Sequence, residues 1–168
     1  MAARKTGPAG RQPARKAAKK SGRTPAKPSA KYALRPIGRI RSSLKTRAEA
    51  PRQGPEGAPD AWLEIEERLA EGLDGIQVGD ELMVITWLHR GRRGVLKVIP
   101  RNYRRGRPVG VFTTRSPDRP NPLGLHPVVV RRIEGNRLLI GPIEAIDKTP
   151  VVDIKPLMAS PLDLNRGT

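Results

Sequence analysis

Two hydrophobic periods divide the chain. In YALRPIGRIRS, residues Tyr32 to Ser42, apolar Leu34, Ile37 and Ile40 alternate with other residues closely enough to predict a first strand. Between Asp60 and Leu73 the period lengthens. Trp62, Ile65, Leu69 and Leu73 recur at spacings of three and four, which predicts the chain's one main α-helix, capped by Asp60, with Glu64 in its first turns and Gly72 and Gly75 at its end. Leu82 to Leu88 is a continuous apolar run, a strand buried on both faces or lying along a dimer interface, and VLKVIP and VGVF read as further strands. From His126 onward, HPVVVRRIEGNRLLIGPIEAIDKTPVVDIKP predicts strand, Glu-Gly-Asn turn, strand, short strand, DKTP turn and strand. One helix among roughly seven or eight strands argues for a mainly β fold, a closed or nearly closed barrel. No GxGxxG follows a strand to open a helix, so the Rossmann route to a nucleotide cofactor is absent.

Between VGVF and HPVVV lies TTRSPDRPNPLG, Thr113 to Gly124. It is neither helix nor interior strand, because Pro117, Pro120 and Pro122 lack the amide donor and fix φ. Connections between strands are usually short, and prolines lower the entropy lost on ordering, so a rigid loop carrying Arg115 and Arg119 is predicted to form a binding wall.

Charge changes the picture at the N-terminus. The 168 residues carry a net charge of +17, yet residues 1 to 47 hold fifteen of the 33 basic residues and no acid, leaving a nearly neutral remainder. Residues 1–31 have almost no apolar bulk and are predicted to be a disordered basic tail, either a salt-sensitive polyanion-attracting segment or a solubilising extension. The tail lacks the apolar core of a secretory signal, and no run is long enough to span a bilayer, so no membrane partner is expected. With no cysteine and only two histidines, neither a disulfide framework nor a structural metal is expected, which fits a reducing cytoplasm. One domain, 32–160, follows the tail, and 161–168 form a C-terminal tail.

RSPDRPNPLGL at Arg115 to Leu125, with VGVFTT before it and DKTPVVDIKP after it, resembles the signature of the TsaA-like family. IGRIRS at Ile37, APRQ at Ala50, WLHR at Trp87 and KPL at Lys155 extend the likeness over about four fifths of the chain. The family's characterised members are TrmO-type tRNA methyltransferases, which use S-adenosylmethionine to methylate N6 of threonylcarbamoyladenosine beside the anticodon. The resemblance therefore implies a small non-Rossmann β-barrel methyltransferase, S-adenosylmethionine as cofactor, tRNA as partner and a homodimer with its pocket near the subunit interface.

Carried over residue by residue, the resemblance places Pro51, Arg52, Gln53, His89, Arg90, Arg115, Leu125, Asp147, Lys148, Thr149 and Pro150 against the cofactor, with Arg115 meeting a carboxylate. Without it, the loop Leu44 to Asp60 reads merely as mobile, and His89 as a surface or packing residue. His89 and Asp147 are both candidates for the base that takes a hydrogen from the methylated nitrogen; Asp153 and Lys155 are as readily a structural pair. Three residues depart from the family pattern: Arg90, where a neutral or acidic residue is usual, Lys148 in place of glycine, and His126 in place of serine. A lysine fills that turn only with negative φ or with tolerated strain. Arg92, Arg93, Arg101, Tyr103, Arg104, Arg105 and Arg107 form a basic stretch, either a solvated hairpin or a rim for tRNA phosphates with a stacking tyrosine. The competing readings are a non-catalytic RNA-binding barrel and a methyltransferase with another acceptor.

Overall fold

The structure, a computed structural model, describes residues 33–100 and 106–158. The tail 1–31, the stretch 161–168, and Arg101, Tyr103, Arg104 and Arg105 lie outside the described residues. Among the described residues eight strands run in order: β1 (Gly38–Arg41), β2 (Ala61–Ile65), β3 (Glu81–Trp87), β4 (Lys97–Val98), β5 (Val109–Gly110), β6 (Leu123–Glu134), β7 (Arg137–Gly141) and β8 (Pro150–Pro156). β4 and β5 pair only with each other. The other six are antiparallel in the order β1-β2-β7-β6-β3-β8, and because β8 pairs with both β3 and β1 the sheet closes on itself as a barrel.

Each barrel strand sends alternate residues inward, as the two-residue repeat of a strand requires. Ile40, Leu63, Val84, Val130, Leu138, Ile140 and Val151 are at most 1% exposed and form a core to which all six strands contribute. β3 shows the logic most clearly: Leu82, Val84 and Thr86 are buried, whereas Met83, Ile85 and Trp87 are only half-buried on the outer face. The β6–β7 connection is the tight turn predicted at Glu-Gly-Asn, with Gly135 at φ +58°.

The helix predicted over Asp60–Leu73 is not formed. Its first half is β2, where Ala61, Leu63 and Ile65 are buried at every second position; Trp62–Ile65 pair with β1 on one side and Ala61–Glu64 with β7 on the other. A strand flanked by barrel partners on both edges gains ladder hydrogen bonds that an isolated short helix cannot match. The second half, Glu67–Leu73, is a 3-10 helix whose Leu69 and Leu73 pack against the core. No α-helix occurs among the described residues. Trp62, expected on the buried stripe, instead faces outward with the guanidinium groups of Arg132 and Arg137 each 5.0 Å from its ring centre. Two strands are also shorter than predicted: only Lys97–Val98 of VLKVIP pair, and VGVF yields Val109–Gly110 followed by a 3-10 turn, Val111–Thr113. The short strand expected after Gly141 is not formed; residues 142–146 run to the DKTP turn as irregular backbone, tied to the segment before β2 by the Ile143 amide on the Pro59 carbonyl at 3.0 Å.

Candidate functional site

Antiparallel register gathers the predicted site at one end of the barrel. Arg41 faces Trp62, Trp87 faces Leu123 and Arg39 faces Pro150, so the chain leaving β1 and β3 and the chain entering β2, β6 and β8 meet there. These are the segments 42–60, 88–92, 114–122 and 146–149.

Asp118, inside the proline-rich loop, binds three of these segments together. Its Oδ1 accepts the Arg92 amide at 2.9 Å and Arg47 Nη1 at 3.1 Å, while Oδ2 accepts the Arg92 guanidinium at 3.1 Å. Arg47 also donates to the Arg90 carbonyl at 3.3 Å. Asp118 is 7% exposed. Burial pushes its pKa up, but the Arg92 amide and the two guanidinium groups more than reverse this and hold the carboxyl below the usual value. Close packing reinforces the tie, because a Cβ on Gly91 would lie 2.3 Å from the Pro117 carbonyl oxygen. Arg119 donates to the carbonyls of Val111 and Thr114 and so fixes the start of its own loop. Arg115 is exposed, with no side-chain partner among the described residues, so of the two loop arginines it alone is available to a ligand.

Asp147 joins the fourth segment to the first. Its Oδ1 accepts the Ser42 amide at 3.2 Å and its Oδ2 receives Lys45 Nζ at 3.1 Å. Burial works against the charge, yet Lys45 and the Ser42 amide keep the carboxyl below its ordinary pKa. Lys148 follows at φ +63°, the left-handed conformation, so the lysine takes the strained alternative rather than a different backbone. Its amide donates to the Ile40 carbonyl at 2.8 Å, and Thr149, 1% exposed, closes the turn through Oγ1 to the Ile146 carbonyl at 2.7 Å.

The other predicted residues are placed less tightly. Pro51 and Arg52 line a shallow, open hollow of about 460 Å³ together with Ala48, Glu49, Ala50 and Glu56. Arg52 is paired with Glu56 at 3.0 Å, and Gln53 is exposed at the start of a 3-10 turn, Gly54–Glu56. Leu125 lies on the outer barrel face opposite Ile85 and is 50% exposed. His89 is half-buried, with Nδ1 buried and unpartnered among the described residues. Burial first, then the neighbouring Arg90 charge, lowers its pKa, so the ring is neutral near pH 7. Of the basic stretch, Arg92 is tied to Asp118, Arg93 lies over the Trp87 ring at 5.2 Å, and Arg107 is exposed. Lys155 and Asp153 form the surface pair considered from the sequence, at 2.9 Å.

Sequence reasoning missed Asp118, Arg47, Lys45 and Ser42, although they hold the site together. The available signal was Asp118 itself, the one acid in an arginine- and proline-rich loop. Among the described residues there is no metal-ligating cluster, and no helix is long and apolar enough to cross a membrane.

Residues 39–162 match the tRNA-methyltransferase O N-terminal domain family. A probable S-adenosyl-L-methionine-binding protein of Methanothermobacter thermautotrophicus is 41% identical over 124 residues, covering 73% of this chain and 88% of that protein. An S-adenosyl-L-methionine-binding protein of Archaeoglobus fulgidus is 41% identical over 122 residues, covering 73% and 86%. The crystal structure of TrmO from Pseudomonas aeruginosa is similar with a TM-score of 0.61 and 31% identity over 76% of this chain. The chain spans 55% of the length of that solved structure.

Proposed function

Because the chain belongs to the tRNA-methyltransferase O family, we propose that it binds S-adenosylmethionine and methylates N6 of threonylcarbamoyladenosine beside the anticodon of tRNA. The observation that carries this reading is the convergence of its family-like segments at one barrel end through Asp118, Arg47, Lys45 and Asp147. The residues there suit the cofactor. Arg115 offers an unengaged guanidinium for a carboxylate, Pro51 and Leu125 offer apolar surface, and the buried Nδ1 of His89 is polar capacity that the protein leaves unused.

When bound, S-adenosylmethionine supplies an electrophilic methyl group on a positively charged sulfur. Pro51, Arg52, Gln53, Arg90, Arg115, Leu125, Lys148 and Pro150 would form the wall that holds it, with buried Thr149 closing the turn behind that wall. In-line transfer to nitrogen depends chiefly on positioning. The accepting nitrogen gives up a hydrogen, and neutral His89 is the better base for it. Asp147 is less suited to that task, because its carboxylate is held ionised by Lys45 and Ser42 and fixes the turn beside the site.

In the same reading, Arg107 and the segment 101–105 contact tRNA phosphates, the tail 1–31 adds salt-sensitive affinity, and the protein works in the cytoplasm. A second copy covers the outer face of β3 and β6, where Met83 faces Pro127, Ile85 faces Leu125 and Trp87 faces Leu123. This is a contiguous apolar ladder with Leu123 and Leu125 37% and 50% exposed.

Isothermal titration with S-adenosylmethionine, beside Arg115→Ala, tests the proposal. The expected result is binding by the wild type, loss in a variant of unchanged melting temperature, and methyl transfer to tRNA that carries threonylcarbamoyladenosine without the methyl group. A folded wild type that binds no cofactor would point instead to a non-catalytic RNA-binding barrel. Binding without transfer to that tRNA would point to another acceptor.

A further inference from the structure

Beneath the site lies a buried polar chain that the proposed reaction does not use. His126 sits on the inner face of β6, opposite Val84, and is 3% exposed. Its Nε2 is 2.9 Å from the hydroxyl of Thr86, itself fully buried on β3, and its Nδ1 is 3.0 Å from Glu144 Oε1. A carboxylate only accepts, so Nδ1 carries the hydrogen, and in the neutral ring Nε2 accepts the hydroxyl hydrogen of Thr86. Glu144 is held ionised: burial opposes its charge, but His126 and nearby backbone amides, Gly54 among them, bring its pKa below the ordinary value. Gly54 packs tightly here. A Cβ on it would fall 2.6 Å from the Pro142 carbonyl oxygen and 3.6 Å from Glu144 Oε2. Space at the other end is also reserved, since a Cβ on Gly124 would lie 2.5 Å from both His126 Nε2 and Thr86 Oγ1.

The chain thus starts on the strand that leads to His89 and ends against the residue that follows Pro51, Arg52 and Gln53. We propose that His126 is a positioning residue: through Glu144 it anchors the turn at Gly54 and thereby sets the Pro51–Gln53 wall for the cofactor. This rests on the function proposed above. Polar groups buried as deeply as His126 and Thr86 persist only when each is satisfied, and a chain from hydroxyl through imidazole to the half-buried Glu144 carboxylate fixes both the side chains and the backbone it touches. A serine at position 126 is too short to span from Thr86 to Glu144, so the histidine adds a rigid link between two walls of the site.

Two measurements on the full chain test this. Hydrogen exchange without ligand should show faster exchange of the amides in residues 52–58 in His126→Asn and Glu144→Gln than in the wild type. Titration with S-adenosylmethionine should show about tenfold weaker binding in each variant, with KM for tRNA unchanged and the double variant no worse than either single one. Thr86→Val should weaken binding in the same direction, and Thr86→Ser, which keeps the hydroxyl, should restore it. Unchanged exchange in residues 52–58 would overturn the anchoring. Faster exchange with unchanged cofactor affinity, or additive effects of the two variants, would overturn the role toward the cofactor. A wild type that binds no S-adenosylmethionine would sink the proposed function instead, while the exchange data still decide whether His126 holds the turn.

Discussion

Asp118 and Arg92 form a closed clasp between two loops that lie 26 residues apart in sequence: one carboxylate oxygen takes the Arg92 amide and the other its guanidinium. Arg47 completes the clasp from a third loop. Because Asp118 is buried and its partners are exposed, its amide bond carries more weight than the screened ion pairs.

Asp118→Asn should therefore destabilise the fold by about 1–2 kcal/mol and weaken cofactor binding by loosening three loops at once. The pH dependence has a definite sign. With the folded pKa depressed below the ordinary value of 3.8, the stabilisation is fully present above that value and is lost as the pH falls through the lower folded pKa. Urea titrations of both proteins across the acid range should give stability curves that run parallel near neutrality and converge in acid. A constant gap down to the lowest pH would show that the charge of Asp118 is not what matters.

His89 sets the expected acid limb of the reaction. Its pKa lies below 6.5 because burial and the Arg90 charge both disfavour the imidazolium, so the base form persists to lower pH than in an ordinary histidine. The acid limb of activity should therefore have its midpoint at a lower pH than an ordinary histidine would give, with activity falling as the pH drops through the lowered value. His89→Gln should remove that limb and slow methyl transfer by about 10²–10⁴. An acid limb that survives in His89→Gln would return the base to Asp147 or to the tRNA itself.

Lys148 holds a left-handed backbone at φ +63°, and its side chain is exposed, with no partner among the described residues. A non-glycine residue there costs about 1–2 kcal/mol, part of which glycine gives back as unfolded-state entropy. Lys148→Gly should thus stabilise the protein by about 0.5–1 kcal/mol and raise Tm by about 3 °C. A fall in Tm would mean that the lysine side chain contributes something its exposed position does not reveal.

That turn also marks where sequence reading stops. The DKTP motif identified a turn, but the sign of φ at its second position is set by the amide of Lys148 reaching the Ile40 carbonyl, more than a hundred residues earlier. The same limit explains the missed strand. Ala61–Ile65 satisfies a helical and a strand period alike, and only the arrival of β1 and β7 on its two edges decides between them. Where local signals were unambiguous, as in the β-branched run of β6 and the Gly135 turn, the elements were legible. Of the segments that meet at the barrel end, the proline-rich loop could be singled out from its own residues, whereas the loop Leu44 to Asp60 and His89 were named only through the family resemblance. The fastening of these segments was not legible: a buried acid such as Asp118 looks like any other charge in a polar loop until its partners are in place.

The outer ladder of β3 and β6 makes the last prediction. Met83, Ile85 and Trp87 alternate with core residues, so burying Leu82, Val84 and Thr86 inside the barrel necessarily turns an equally apolar set outward. Soluble monomers rarely leave such contiguous surface uncovered, and a twofold axis through its middle rung would set Ile85 and Leu125 against their own copies and exchange the outer rungs. Arg93, over the Trp87 ring, lies at the edge of this face beside the segment leading from His89, so a partner there would sit next to the site. Light scattering should give a dimer for the wild type and a monomer for Ile85→Glu, and cofactor affinity should fall with dissociation if the partner shapes the pocket. A wild type that is monomeric at working concentration removes the dimer; a monomeric variant with full affinity keeps the dimer but separates it from the cofactor site.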